Sequence, residues 1–418
     1  MKRIQIIISA SLLALAAQAH AQVEWLSPGA NDLRAERLDQ NIANLAPSSH
    51  RESHPVNYAW SPDRSLQGRP YQSGPTPIAS RQPTSTSQGY WVDATGGDLA
   101  RGVHLPISAG GAVIRISALD ADSRIALSAE ALSLSVNGRS IEAEFGSDGM
   151  ATGSDMRQQG MSVPEASLAF QLSRESQAGM LTIAHRGLPV EQALVIHVHE
   201  PESPWIAQLG LPRQNVLSGE MLTFDLSIGD GRERLQPGSI QAVLVSPDAA
   251  QSWPLSVNRS GQLVLDAAPL AARSEAGIGL YEAHVYTEAQ IKGLTVRRDL
   301  TLALNIAPAI ARFNGIAKDS PKGGLSLTLG VETSTAGRYQ VNAEIYGTDA
   351  RGQLRPVAFV QSAAVLAAGQ GQIELNVGQD LLASSGLGSP YEVRNLMLLD
   401  QGRMYLLEQR ERALRILR

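Results

Sequence analysis

His197 and His199, in the run ALVIHVHEPESPW (193–205), are the only two histidines set one residue apart in this chain. On a strand, residues two apart share a face. Both imidazoles then point one way, while Leu194, Ile196 and Val198 point the other. Two imidazole nitrogens at that spacing could hold Zn²⁺ or Cu²⁺, but a stable site needs a third protein ligand. The candidates are His185 from a neighbouring strand, Glu202, or an acidic residue of the next domain, because Glu200 falls on the apolar side. The plainer reading is that these are two polar positions closing a strand at a domain junction. His104, His185 and His284 are single histidines in strand-like text, suited to ordinary surface or core roles.

Other chemistries lack their residues. HEPES (199–203) begins like H-E-x-x-H, but Pro201 stops the helix that would stack two histidines, and no second histidine follows. No G-x-S-x-G turn is present to strain a serine nucleophile into reach, which leaves only a triad of dispersed residues for serine chemistry. Without cysteine there is no thiolate nucleophile and no disulfide. Neither a phosphate-cradling glycine loop nor G-x-G-x-x-G occurs. Asp120 and Asp122, and Asp225 and Asp230, could meet Ca²⁺ in loops, yet the full ladder of oxygen donors is missing and solvated turns explain them more simply. No cofactor is expected; Zn²⁺ and Ca²⁺ are the ions these positions would take.

The elements that carry these residues read as strands. In LSLSVNGRSIEAEF, Leu132, Leu134 and Val136 alternate with polar residues up to Asn137-Gly138. That dipeptide supplies the positive φ angles of a tight hairpin. GAVIRISAL, SLAFQL, GMLTIAH and ALVIHVH complete a first β-sandwich over 88–202. MLTFDLSIG, SIQAVLVSP, SWPLSVN, GQLVLDA, GLYEAHVYTEA and DLTLALNIAP form a second, immunoglobulin-like, over 203–307. LSLTLGVET, GRYQVNAEIYG, RPVAFVQS, GQIELNV, PYEVRNLMLLD and MYLLEQ form a third over 308–418, with a helical turn at GQDLLASSG. The spacing in NDLRAERLDQNIANLAP predicts a short helix bearing Leu33, Leu38, Ile42 and Leu45. It lies within an irregular arm, 22–87, that ends in a Pro-, Ser- and Thr-rich linker. Trp25, Tyr58, Trp60 and Tyr71 are expected to tack this arm onto the domain that follows, and Trp205 to plug the junction of the first two sandwiches.

Residues 1–21 read as a secretory signal peptide. Lys2 and Arg3 precede an apolar run from Ile4 to Ala17, and Ala19-His20-Ala21 is a small-x-small cleavage site. The apolar run is too short for a membrane span. The mature chain is therefore expected in the periplasm or outside the cell, and without cysteine it is not a lipoprotein. Of 35 Lys and Arg, two fall in the leader, against 40 Asp and Glu. That balance, with no basic block, argues against nucleic acid or anionic lipid as partner. An apolar content of 43% argues against global disorder, and an aromatic content of 5% leaves few rings for sugar platforms.

One stretch carries a resemblance. AGRYQVNAEIYGTDARGQLRPVAFVQS and GQGQIELNVGQDLLASSGLGSPYEVRNLMLLDQGRMYLLEQ resemble the C-terminal accessory domain of secreted bacterial multidomain proteins. The pattern positions are Gly337, Tyr339, Gly371, Leu375, Pro390, Tyr391, Val393, Asn395, Leu396, Leu398 and Asp400. With ESHPVNYAW and GYWVDATGGDLARGVHLPISAGGAVIRIS nearer the front, the mature chain resembles a proteobacterial family of exported proteins whose domains have no known function. The resemblance implies a central immunoglobulin-like domain and no catalytic residues, since its motifs are glycines, turn residues and core aromatics.

Together these readings describe an exported, cysteine-free, all-β protein of three tandem β-sandwich domains. It is expected to be a non-catalytic binding, adhesion or accessory scaffold for an unknown protein or surface glycan. The rivals are a secreted hydrolase or metal-binding protein with a site near His185, His197 and His199, and a glycan-binding module.

Overall fold

The chain is nearly all β, with several antiparallel sheets packed as sandwiches. The computed structural model describes residues 22–39, 45, 48, 52–62, 82–125, 127–141, 150–269, 279–320 and 323–418. The leader at 1–21 and Tyr71 lie outside them. The chain divides into two compact units, one of Met1–Pro77 with Ala309–Arg418, the other of Ile78–Pro308. No helix among the described residues is long and apolar enough to cross a membrane.

The Ile78–Pro308 unit holds two sandwiches. In the first, a five-stranded sheet runs in the order Gly89–Thr95, Ala193–His199, Val113–Ala118, Ser167–Gln171, Ala151–Thr152. It faces a sheet of Val103–Ile107, Gly179–His185, Leu132–Val136 and Arg139–Ser140. Period-two alternation decides which residues meet between them: Ile114, Ile116, Leu168, Phe170, Leu181, Ile183, Leu194 and Ile196 form one buried cluster. The Asn137-Gly138 hairpin closes as its residues require, with φ of 51° and 78° between paired Val136 and Arg139. Two short helices that the strand pattern hid, Gly96–Arg101 and Gly153–Gln158, each begin with a Thr/Asp capping box.

The second sandwich is built on long neighbours, Tyr281–Ile291 and Leu294–Ala307, with Pro237–Val245 beside them. Asn215–Leu217 pairs in parallel with the end of Leu294–Ala307. Its other sheet includes Ile206–Gly210 and Leu222–Gly229. The edge strand there is Thr84–Ser87, which comes from the Pro-, Ser- and Thr-rich text read as linker. Thr and Ser alternate in TSTS, so it carries no apolar signal, and its pairing rests on main-chain hydrogen bonds to Ile206–Gly210. Trp205 packs on the core of this second sandwich.

The other unit closes on the chain's two ends. Its six-stranded sheet runs Gln22–Trp25, Tyr405–Leu417, Gly388–Asp400, Gly337–Thr348, Leu354–Leu366, Val56–Trp60. A three-stranded sheet of Ala311–Asp319, Gly324–Thr333 and Gly369–Gly378 packs against it over Leu327, Leu329, Val341, Ile345, Val393 and Leu414. The helix expected near GQDLLASSG is present as Gln379–Ser385. The arm thus docks on the last domain rather than on the one that follows it. Trp25 packs on Phe313 and Trp60 on Phe359. The expected helix does not form over Asn31–Asp39. Leu33 bridges to Gln409, and Leu33 and Ala35 are buried while Arg34 and Glu36 face out. That is period two, so a strand-like strap buries alternate residues where a 3.6-residue repeat was expected. Ile42 lies outside the described residues.

Candidate functional site

The H-x-H pair lies as its alternation requires. Leu194, Ile196 and Val198 are buried, His197 is half-buried and His199 is exposed. Both imidazoles therefore stand on the outer face of the five-stranded sheet. His185 does not join them: its strand belongs to the opposite sheet, between Val103–Ile107 and Leu132–Val136. Burial holds the His185 imidazole below its ordinary pKa. Among the described residues no group of three or more His, Asp or Glu could hold a metal ion. His104 contacts the Thr182 hydroxyl at 2.9 Å, and His284 lies 3.1 Å from Glu282.

The acidic loop residues are spent on turns. The Asp120 carboxylate accepts from the Asp122 amide, and the Asp230 carboxylate from the amides of Arg232 and Glu233. Asp225 accepts from the Gln262 side chain.

Beyond His199 the inward column continues into a charge. Glu200 is 1% exposed, and its Oε2 meets Nη1 of Arg298 at 2.5 Å. Its other oxygen accepts from the Ser108 amide, and Oε2 also accepts from the Ser108 hydroxyl. Arg298 donates further to the Trp205 carbonyl and the Ser203 hydroxyl. Val296, Arg298, Leu300, Leu302 and Leu304 are one column of alternate buried positions. An arginine in an apolar column is a legible signal that this buried pair exists. Saturated by hydroxyls and carbonyls, it fastens the first sandwich to the second and leaves no atom free for chemistry.

Beside it, Asp299 accepts the main-chain N–H of Trp91 at 2.7 Å, and its Oδ1 is buried without a partner. Burial pushes its carboxyl up to about 6. Arg297 lies over the rings of Tyr90 and Tyr286 and pairs with Glu288.

The outer face of the six-stranded sheet presents a different chemistry. Register places Trp60 opposite Phe359 and Glu344, and Tyr58 opposite Gln361 and Asn342. Their neighbours in chain, Ala59, Val360 and Ala343, turn into the core. Tyr58 is 60% and Trp60 42% exposed. Trp60 and Phe359 stack with centroids 6.0 Å apart and planes 28° apart. Beneath them is a shallow hollow of about 220 Å³ lined by Asn342, Glu344, Gln361, Asn395 and Met397.

A run of polar side chains leads into that hollow. Arg338 donates to Gln401, Gln401 to Gln340, and Gln340 to Asn342, at 2.8–2.9 Å throughout. Arg338 is itself held by the His54 carbonyl. Such a chain fixes amide orientation before any ligand arrives. The sequence reading missed this face because its rings come from an arm read as irregular and its amides from a domain far along the chain.

Comparison with known proteins agrees with this architecture. Residues 47–200 match the family model for the N-terminal domain of DUF4785, a domain of unknown function, and residues 310–418 match that for its C-terminal domain. A solved DUF4785 family protein from Legionella pneumophila subsp. pneumophila str. Philadelphia 1 is similar in fold, with a TM-score of 0.67 at 16% identity. The match covers 91% of this chain and 98% of that one. No curated protein matches.

Proposed function

From its membership of the DUF4785 family, to which the chain belongs, we propose an exported, non-catalytic binding protein that engages a neutral polysaccharide through the outer face of the six-stranded sheet. The observation that carries this reading is the exposed, stacked Trp60–Phe359 pair with Tyr58 alongside, set over preoriented amides. A planar ring offers an apolar platform to the C–H face of a sugar, while Asn342 and Gln361 supply both donors and acceptors to hydroxyls. Open sheet faces suit a long, repeating ligand better than an enclosed cavity does. Support for export is the N-terminal text, with its short apolar run and Ala-x-Ala ending.

The test is retention of the purified chain on insoluble neutral polysaccharides, followed by titration with soluble oligosaccharides of the retaining one. Tyr58→Ala with Trp60→Ala should weaken binding at least tenfold, about 1.4 kcal/mol, while the melting temperature changes little. Absence of retention on every neutral glycan, or undiminished binding by the double variant, would refute the proposal.

A further inference from the structure

The outer face of the five-stranded sheet, where His197 and His199 stand, carries a cation, Arg115, that forms no ion pair among the described residues. Register places Trp91, His197 and Arg115 side by side across three strands, on one face. Ala169 and then Ala151 follow Arg115 on the next two strands, so the row ends on small side chains. Arg115 is half-buried, and its Nε is buried without a hydrogen-bond acceptor. Among the described residues it makes no ion pair. The buried arginines are all committed: Arg298 to Glu200, Arg403 to Asp400 and Arg410 to Glu408 by ion pairs, and Arg338 to the Gln401 side chain and the His54 carbonyl by hydrogen bonds.

An orphaned guanidinium donor is costly, because burial strips its water without returning a partner. Its neighbours do not repay that cost. His197 is held below its ordinary pKa, first by burial and then by the Arg115 charge, so it too is short of a negative partner. Of the two adjoining rows, that of Gly89, His199, Val113 and Gln171 brings no carboxylate, and that of Asp93, Val195, Ser117 and Ser167 brings one, Asp93, on the strand two away from Arg115 and with no ion pair to it. Trp91, at the far end of the row, is 48% exposed. Its strand is pinned by the Asp299 carboxylate on its main-chain N–H, which leaves the indole free to serve as a surface.

We infer that this row is a binding site for a carboxylate-bearing sugar, a uronate unit of an acidic polysaccharide. Arg115 takes the planar carboxylate and Trp91 the face of an adjoining ring. His197 donates to the carboxylate from between them. Strand spacing sets Trp91 and Arg115 about 10 Å apart, a span that calls for more than one sugar unit. A guanidinium fork matches the two oxygens of a carboxylate in one plane. The site lies on a different sheet and recognises a different charge from the neutral-glycan face, so the two readings stand or fall separately.

The experiment uses the Tyr58→Ala, Trp60→Ala chain, in which the other face is disabled. It is titrated with galacturonic acid tetrasaccharide, the matched galactose tetrasaccharide, and inorganic phosphate. The acidic tetrasaccharide should bind at least tenfold more tightly than the neutral one. Arg115→Gln should abolish that preference, Arg115→Lys should keep part of it, and Trp91→Ala should weaken binding while leaving the charge preference. NMR of the His197 ring should show its pKa rising when the acidic ligand is bound. Equal affinity for acidic and neutral sugars, or an unaltered preference in a folded Arg115→Gln chain, would overturn the inference. So would phosphate binding as tightly as the uronate, since a bare anion would then suffice.

Discussion

Arg298 and Glu200, 98 residues apart in the chain, are in direct contact, one side chain 0% and the other 1% exposed. Each comes from a different sandwich of the Ile78–Pro308 unit, and each occupies an inward position of its strand or strand end. A buried pair of this kind is worth less as a source of stability than as a demand for correct docking.

The first expectation follows directly. Glu200→Gln or Arg298→Met alone leaves one uncompensated buried group and should cost about 3–5 kcal/mol. The double change to Gln and Met should cost clearly less than the sum of the two. Urea unfolding followed by tryptophan fluorescence measures all three, and strict additivity would rule out coupling between the two residues.

Asp299 should make this unit less stable as pH rises through the mildly acidic range. Its carboxyl is raised from 3.8 to about 6 in the folded state. Between those values the native protein therefore holds a proton that the unfolded chain has released. The stabilisation is complete below about 3.8 and is lost as pH climbs through about 6. Because water still reaches part of the group, the effect is on the order of 1 kcal/mol, or about 2–4 °C. Melting temperatures of wild type and Asp299→Asn, compared from pH 4 to 7, should diverge by that amount in favour of the variant at the upper end. Parallel curves would rule out Asp299 as the source.

At the hairpin, Asn137→Ala should destabilise by about 1–2 kcal/mol. It loses a side chain that accepts from the Met180 amide and donates to the Ala178 carbonyl, and it forces alanine to φ of 51°. Asn137→Gly should recover the backbone part but not the hydrogen bonds. Thermal unfolding of both variants separates the two contributions, and equal losses would show that conformation contributes nothing.

Much of this was legible before any coordinates. Alternation in ALVIHVH correctly turned Leu194, Ile196 and Val198 inward, and Asn137-Gly138 named its hairpin. What stayed hidden was long-range. Nothing in TSTS or VNYAW says which sheet those short runs will join, because an edge strand is held by main-chain bonds that any sequence can make. Leu33 was read at helical spacing because the text around it also supplies Leu38, Ile42 and Leu45. The strap that forms buries Leu33 and Ala35 in alternation, and Leu45 packs only partly on the same core. The unpaired state of Arg115 is likewise invisible in GAVIRISAL, where an arginine at an outward position looks like any solvated charge.

The last domain should depend on the arm. Residues 309–418 expressed alone would expose the strand Tyr405–Leu417 on one side and Leu354–Leu366 on the other. Both are long, partly apolar edges now covered by Gln22–Trp25 and Val56–Trp60. The isolated fragment should aggregate or melt without a cooperative transition, and adding a peptide of residues 22–62 should restore one. A monodisperse fragment with unchanged melting would contradict the docking described here.

The pairing of Gln22–Trp25 with Tyr405–Leu417 also sets an order of assembly. As the chain is synthesised, residues 78–308 emerge as one continuous insertion and contain every strand that their two sandwiches require. They can close while the protein is still growing. The arm cannot. Its first strand waits for nearly the whole remaining length to appear, since its partner ends at Leu417. The final sheet is therefore the last to form and the slowest to find its contacts. Until then its unpaired strands are the part of the nascent protein most in need of a chaperone.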